Sequence, residues 1–371
     1  MFRPLLALIV ALAGQIGQSL PGMAFVATVL TQAFSGRAQA APVKATEVVA
    51  DWLLPRYDAL AAAAARQKEA WRAFCAAPAP TGVAALKESF AATSDAWAAV
   101  EFVTFGPVVL SLRADRFNLF PERRNAVARG LAELIADPTA ERLEPQRFAR
   151  LSAAVQGLPA LERLLYDDGA EAALLSGAES ARRCAIGAAI AGNLDEIATS
   201  IRSGWGDATQ GLLGQLAGGK ADPVFFPDPD ALLSQMVTDL AGAYQRVVDQ
   251  RLLVVMGKSA AEAKPALSDR RRSGRAKETI LAVTASAQAL AERFAAGLDA
   301  KGKGIVDRDA AAATAAVAAL PPDIGAAAQE AKGRRQIEAA VAALKTAQKS
   351  IAEPLASGLG VPLGFNALDG D

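Results

Sequence analysis

Residues 46–76 read TEVVADWLLPRYDALAAAAARQKEAWRAFCA, and the spacing of their apolar side chains decides the fold class. Val49, Trp52, Leu53, Tyr57, Leu60, Ala64, Trp71 and Phe74 recur every three or four positions, which places them on one face of a helix. Thr46 suits the N-cap. Pro55 either kinks this helix or marks its true start, because proline lacks the N–H that an interior position donates. The stretch Ala76-Ala77-Pro78-Ala79-Pro80 ends it.

The same period continues outward. A second helix is expected from Thr81, with Val83, Leu86, Phe90, Trp97 and Val100 on one face and Gly106-Pro107 as its stop. Further helices are expected over 122–136, 144–155, from Pro159 onward, and 178–203. The pattern then lapses in a glycine- and proline-rich stretch that includes Pro223 and Pro227. It resumes over 229–256, 275–299, 308–319 and 323–356, with 258–274 as a charged connection. No segment alternates with period two. The expected architecture is all-α, two packed helical-bundle lobes: an N-terminal bundle over 41–205, a connection over 206–228 and a C-terminal bundle over 229–371.

Composition excludes several functions. The 371 residues carry 39 basic and 39 acidic side chains and no histidine. Without imidazole there is no serine–histidine or cysteine–histidine nucleophile and no histidine-ligated zinc centre. Balanced charge leaves no electrostatic footprint for nucleic acid, and no basic patch for an anionic membrane.

The N-terminus reads as an export signal. Arg3 precedes the apolar run Leu5–Ala13, a second run spans Met23–Phe34, and Ala38-Gln39-Ala40 precedes Ala41. Basic start, hydrophobic region and small-residue cleavage site are the parts of a signal peptide over 1–40. Neither run reaches the roughly 18–20 apolar residues that span a bilayer, so contact with a membrane is expected only through the leader. Removing residues 1–40 leaves 37 basic against 39 acidic residues. Cys75 and Cys184 both lie on helical patterns, and in an oxidising compartment such a pair is expected to form a disulfide; the alternative is two separate buried thiols.

Polar residues interrupt apolar faces at four places. Glu101 sits among aromatics in Trp97-Ala98-Ala99-Val100-Glu101-Phe102-Val103-Thr104-Phe105-Gly106-Pro107. Glu162 sits among leucines in Gly157-Leu158-Pro159-Ala160-Leu161-Glu162-Arg163-Leu164-Leu165-Tyr166. The others are Arg182-Arg183-Cys184 and Arg271-Arg272-Ser273-Gly274-Arg275. A structural reading covers each of them: a carboxylate near a helix start is favoured by the macrodipole, and a buried glutamate needs a cationic partner, for which Arg113, Arg116 and Arg183 are candidates.

In their order these segments, with Gly364-Phe365-Asn366-Ala367-Leu368-Asp369-Gly370-Asp371 at the end, resemble the imelysin-like family, also called the insulin-cleaving membrane protease family. The resemblance covers about residues 45–371. It implies a two-lobed helical fold, a periplasmic or envelope setting in a Gram-negative bacterium, and a link to iron acquisition; some members were assigned as metallopeptidases. It also implies a Gly-X-His-X-X-Glu motif whose histidine and glutamate are proposed metal ligands. Here the motif glycine is Gly157, the glutamate is Glu162, and Pro159 stands at the histidine position. Proline offers no lone pair, so a histidine–glutamate pair sharing one cation is lost, and iron or another divalent cation would rest on Glu162, Glu101 and carbonyl oxygens.

Three functions follow as expectations. The first is a periplasmic binding protein tied to iron or metal uptake, with Glu101, Arg113, Glu162, Arg272 and Ser273 lining a cleft between the lobes and with envelope uptake proteins as partners. The second is an envelope scaffold that kept the fold and lost the site. The third is a divergent metallopeptidase. N-terminal sequencing of the protein recovered from the periplasm is expected to begin Ala41-Pro42-Val43; a chain that keeps residues 1–40 would overturn the cleavage assignment.

Overall fold

A computed structural model describes residues 43–228 and 231–364. The leader and the Phe365–Asp371 part of the terminal signature lie outside the described residues. Helices dominate, and among the described residues the only β pairing is two isolated bridges, Asp207 with Gln210 and Asp222 with Phe226.

Helix α1, Leu54–Ala76, carries Pro55 in its first turn. It is entered through a helical turn, Ala45–Val48, and a wider π-type turn, Val49–Leu53. The widened turn accommodates the proline ring and its missing N–H, so the helix runs on instead of breaking. Helix α2, Pro80–Ala98, uses Pro80 at its first position, where an N–H has no helical partner anyway. It stops earlier than Gly106: Val100, Phe102, Val103 and Phe105 are all buried, and no single helical face could bury them together.

The longer helices that follow are α3 (Ala126–Ala136), α4 (Leu158–Tyr166) and α5 (Ser180–Trp205), with α6 (Gly211–Ala217) inside the expected connection. The helix expected to start at 122 begins at Ala126 because Arg124 and Asn125 take left-handed backbone angles, φ 56° and 52°. The helix expected over 144–155 is replaced by one turn, Pro145–Phe148, and a 3-10 turn, Ala153–Val155. Ser152 accepts from the Ala154 N–H, a local bond that competes with helix continuation.

The second half holds α7 (Ala231–Arg246), α8 (Ala276–Ala295), α9 (Ala300–Ala318) and α10 (Ala331–Ser350). Helix α9 begins well before the expected 308, because the Asp299 side chain caps the Gly302 N–H. The stretch expected as one helix over 323–356 breaks between Ile324–Ala327 and α10, where Gly333 packs directly against the Ala327 backbone. A π-type turn, Val247–Leu253, extends α7, and another, Ile351–Leu355, extends α10 around Pro354. The turn after α7 contains no proline, and it carries the residues of the site described below.

Helix α1 packs lengthwise against α5 and α2, while α9 lies between α8 and α10, with α7 alongside. Gly187 of α5 faces Trp71 of α1 so closely that any Cβ there would enter the indole ring. Cys75 at the end of α1 and Cys184 near the start of α5 are joined, with a Cα–Cα distance of 5.7 Å. The helix groups share one continuous core, and α2 packs on α8 across the middle. Phe226 of the connection is buried against Phe105, with ring centroids 5.8 Å apart. Among the described residues no helix is long and apolar enough to cross a membrane.

The disulfide closes a chain segment of 109 residues. Reduction is expected to lower unfolding stability by roughly 2–4 kcal/mol, the usual range for such a bridge. Urea titrations with and without reductant check this, and coincident curves would overturn it.

Candidate functional site

The site forms where a loop of the second half closes on α4. Two 3-10 turns, Ala260–Glu262 and Pro265–Leu267, bring the chain to Ser268, Asp269 and Arg270, all three buried. The sequence presents 258–274 as a charged connection, yet its centre is withdrawn from water. Arg270 has φ 51° and Gly274 φ 69°, so the loop reverses within five residues.

That reversal delivers Ser273 to the motif glutamate. Glu162 is 4% exposed. Its Oε1 accepts from the Ser273 backbone N–H at 3.0 Å and from the Ser273 hydroxyl at 2.7 Å. Beside it, Arg272 Nε donates to Asp167 Oδ1 at 2.5 Å, just past the end of α4. Glu162, Arg272 and Ser273 therefore lie side by side, with Glu162 held by a serine and not by an arginine. Gly157 has a steric role: a Cβ there would lie 2.5 Å from the Phe117 carbonyl oxygen. Pro159 occupies the first turn of α4.

Beneath this clamp lies a buried ion network that the sequence reading missed. Arg251, on the π-type turn after α7, is 2% exposed. Its Nη2 is 2.7 Å from Glu101 Oε1 and its Nε donates to Asp269 Oδ2 at 3.1 Å. Burial alone would lower this guanidinium; Glu101 and Asp269 outweigh that and hold it above its ordinary value. Arg270 donates to Ser94 Oγ at 3.0 Å and to Asn118 Oδ1 at 2.6 Å. Arg246 donates to the Glu101 carbonyl oxygen at 3.0 Å, and burial lowers its pKa. One signal was available: Asp249-Gln250-Arg251 interrupts the apolar stretch from Val247 to Val255, as Glu101 and Glu162 interrupt theirs.

The arginines considered as partners of these glutamates are elsewhere. Arg113 donates to the Pro107 carbonyl oxygen at 2.7 Å, Arg116 to Gln156 and Asn193, and Arg183 of α5 pairs with Glu179 just before that helix. Arg113 is bound back to its own loop and does not line the cleft. Glu101 faces a small inner cavity of about 80 Å³ that it shares with Arg246 and Arg251.

Above the network opens a pocket of about 500 Å³. Pro159 and Glu162 form part of one wall, the Ser268–Arg272 loop another, and Phe120 and Pro121 an apolar side. A divalent cation of the kind that the sequence motif implies does not fit these residues. Pro159 has no donor atom, Glu162 Oε1 already takes two hydrogen bonds, and among the described residues no three carboxylate or thiol side chains converge to hold a metal.

Another buried carboxylate, Asp239, ties α7 to the Thr104 segment after α2. It accepts from the Thr104 N–H at 2.6 Å, the Thr104 hydroxyl at 2.7 Å and Gln235 at 3.0 Å. Burial outweighs these bonds and pushes its carboxyl up to about 6.

The family model for Imelysin matches residues 53–351. No curated protein matches significantly. Among solved structures, the chain is similar to an imelysin-like protein from Psychrobacter arcticum 273-4, at 22% identity and TM-score 0.70, covering 88% of this chain and 99% of that one. It is also similar to a protein from Parabacteroides distasonis ATCC 8503 described as an iron-regulated protein A precursor, at 13% identity and TM-score 0.69, covering 84% and 93%. At these identities the structures establish the shared fold.

Asp239 makes stability depend on pH in a direction opposite to a salt-bridged carboxylate. Its pKa is raised in the fold from the ordinary 3.8 to about 6. The native state then holds the proton more tightly, so the contribution is full below the unfolded pKa and is lost as pH rises through 6. Wild type is expected to lose roughly 1–3 kcal/mol relative to Asp239→Asn between pH 4 and pH 7. Chemical denaturation at both pH values checks this; parallel pH profiles would overturn it.

Proposed function

The chain belongs to the imelysin family, and on that footing we propose that it is an exported ligand-binding protein tied to iron supply, holding a small molecule in the pocket between its two lobes. The observation that carries this reading is the clamp of Ser273 on Glu162. It sets the motif helix and the Arg270–Arg272 loop as walls of one pocket of about 500 Å³. A concave site of this size with a few convergent polar groups is what small-molecule binding requires. Export is supported by the leader sequence and by the Cys75–Cys184 bridge, which suits an oxidising compartment. The link to iron is supported by the printed description of the Parabacteroides relative.

Binding is favoured over catalysis because of what the site offers. The chain has no imidazole to move a proton near neutral pH, and Glu162, the motif carboxylate, is engaged in two hydrogen bonds instead of standing free as a base. A second reading, an envelope interaction protein, draws on a different feature. Val109, Leu110 and Leu112 are exposed side by side, and Ser111 and Leu112 hold left-handed angles there. Such a strained apolar loop is a docking feature more often than a packing one.

Thermal melting with a panel of small metabolites and metal ions separates these readings. A ligand at one hundred times its Kd is expected to stabilise the protein by about 2.7 kcal/mol. Ala266→Trp, which narrows the pocket from its exposed rim, should abolish that shift. A panel that moves nothing, with recovery of one envelope partner lost on Leu112→Asp, would replace the binding reading with the second.

A further inference from the structure

We propose that the ligand of this pocket is a hydroxy-polycarboxylate, free or as its ferric complex, gripped by Arg124 from one lobe and Arg271 from the other. The inference rests on the binding reading above and specifies the ligand's chemistry.

Charge accounting at the pocket leads to it. Five arginines and four carboxylates line the space. Three of the arginines are committed: Arg270 to Ser94 and Asn118, Arg272 to Asp167, and Arg163 to Asn125 and Asp167. Three of the carboxylates are committed as well: Glu162 to Ser273, Asp269 to Arg251, and Glu122 to the Val127 N–H. What remains is Arg124, Arg271 and Asp249, each exposed at the pocket and with no side-chain hydrogen bond or ion pair among the described residues. Two free guanidinium forks match two carboxylates, since the planar donor pair fits carboxylate geometry. The single free carboxylate matches a donor, which a hydroxyl group supplies.

Backbone geometry supports the assignment of Arg124. It sits at φ 56° beside Asn125 at φ 52°, a costly arrangement for side chains with a Cβ. This left-handed pair ends the segment before α3 and places Arg124 at the mouth. Arg271 follows Arg270, itself at φ 51°, in the loop that Ser273 anchors to Glu162. Each free guanidinium thus stands on a turn fixed by its own lobe, and a ligand with two anionic groups bridges them.

This chemistry also reconciles a pocket that does not fit a bare cation with a relative described as iron-regulated. Ferric ion chelated by a hydroxy-polycarboxylate carries its own ligands and presents anionic oxygens outward. Arginines can grip such a complex without supplying a donor atom to the metal.

Isothermal titration tests it with citrate, ferric citrate, tricarballylate (citrate without its hydroxyl), xylitol and zinc chloride as probes. Citrate or its ferric complex should bind, and which of the two binds more tightly identifies the source. Arg124→Ala and Arg271→Ala should each weaken binding about tenfold. Both positions are exposed and unpaired, so each variant should keep the ligand-free melting temperature of wild type, and Lys at either position should restore part of the affinity. Tricarballylate binding as tightly as citrate would overturn the role of Asp249. If xylitol or zinc binds and the carboxylates do not, the polycarboxylate assignment falls while the pocket remains a binding site. If no probe binds, the polycarboxylate assignment falls, and the binding reading then stands or falls on the wider melting panel above.

Discussion

Arg251 is a full positive charge taken almost entirely out of water, and the arrangement of the centre follows from satisfying it. A buried guanidinium without partners would cost several kcal/mol, so carboxylates must reach it. They come from two directions. Glu101 arrives from the segment after α2, and Asp269 arrives from the loop before α8. Phe120 covers the guanidinium, whose carbon is 4.9 Å from the ring centroid. Removing either acid would leave the charge part-paired in a dry interior, a loss on the order of 3–5 kcal/mol. The network therefore fixes how the first half of the chain meets the second, and it sets the floor on which the pocket rests.

The loop that supplies Asp269 also supplies Ser273, and this couples the ion network to the motif helix. Between them only Arg270, Arg271 and Arg272 intervene. Arg270 turns inward to Ser94 and Asn118, Arg272 pairs with Asp167, and Arg271 is left at the pocket. A run of three like charges thus has three different fates, set by one left-handed residue and two anchor points. The π-type turn after α7 has a related effect. A widened turn shifts the helical phase, and here it carries Arg251 into the core while Asp249 lies at the pocket.

Pro159, at the position where the family resemblance implies a histidine, leaves no imidazole beside Glu162. Proline suits the first turn of a helix, so α4 forms as readily as it would with another residue. Gly157 keeps its steric duty under the Phe117 carbonyl, and Glu162 keeps its place in the wall. The glutamate is an acceptor that positions a loop. In that role its value is mechanical: it holds the arginine-bearing loop against α4, and so gives the pocket its width.

Much of the fold was legible because helical periodicity is a local signal. The apolar spacing from Val49 to Phe74 specifies α1 whatever surrounds it, and Pro80 and Pro159 mark helix starts through their missing N–H. Zero histidine likewise settles, without any coordinates, that imidazole chemistry is absent. Glu162, Arg272 and Ser273 could be picked out as polar interruptions. Their mutual contact, and the pairing of Glu101 with Arg251, could not. Arg113, Arg116 and Arg183 look as suitable in the sequence as Arg251 does, since a charge carries no record of which distant charge it will meet. The helix start at Ala300 and the loss of helix over 144–155 turned on single capping bonds, from Asp299 and Ser152, that outweigh weak propensity. The sequence by itself determined the helices, the core faces and the chemistry that is missing, because these depend on neighbours within one or two turns. Only the tertiary structure decided which charges are buried together and which two arginines stay free, because pairing between separate segments of the chain depends on how whole helices pack.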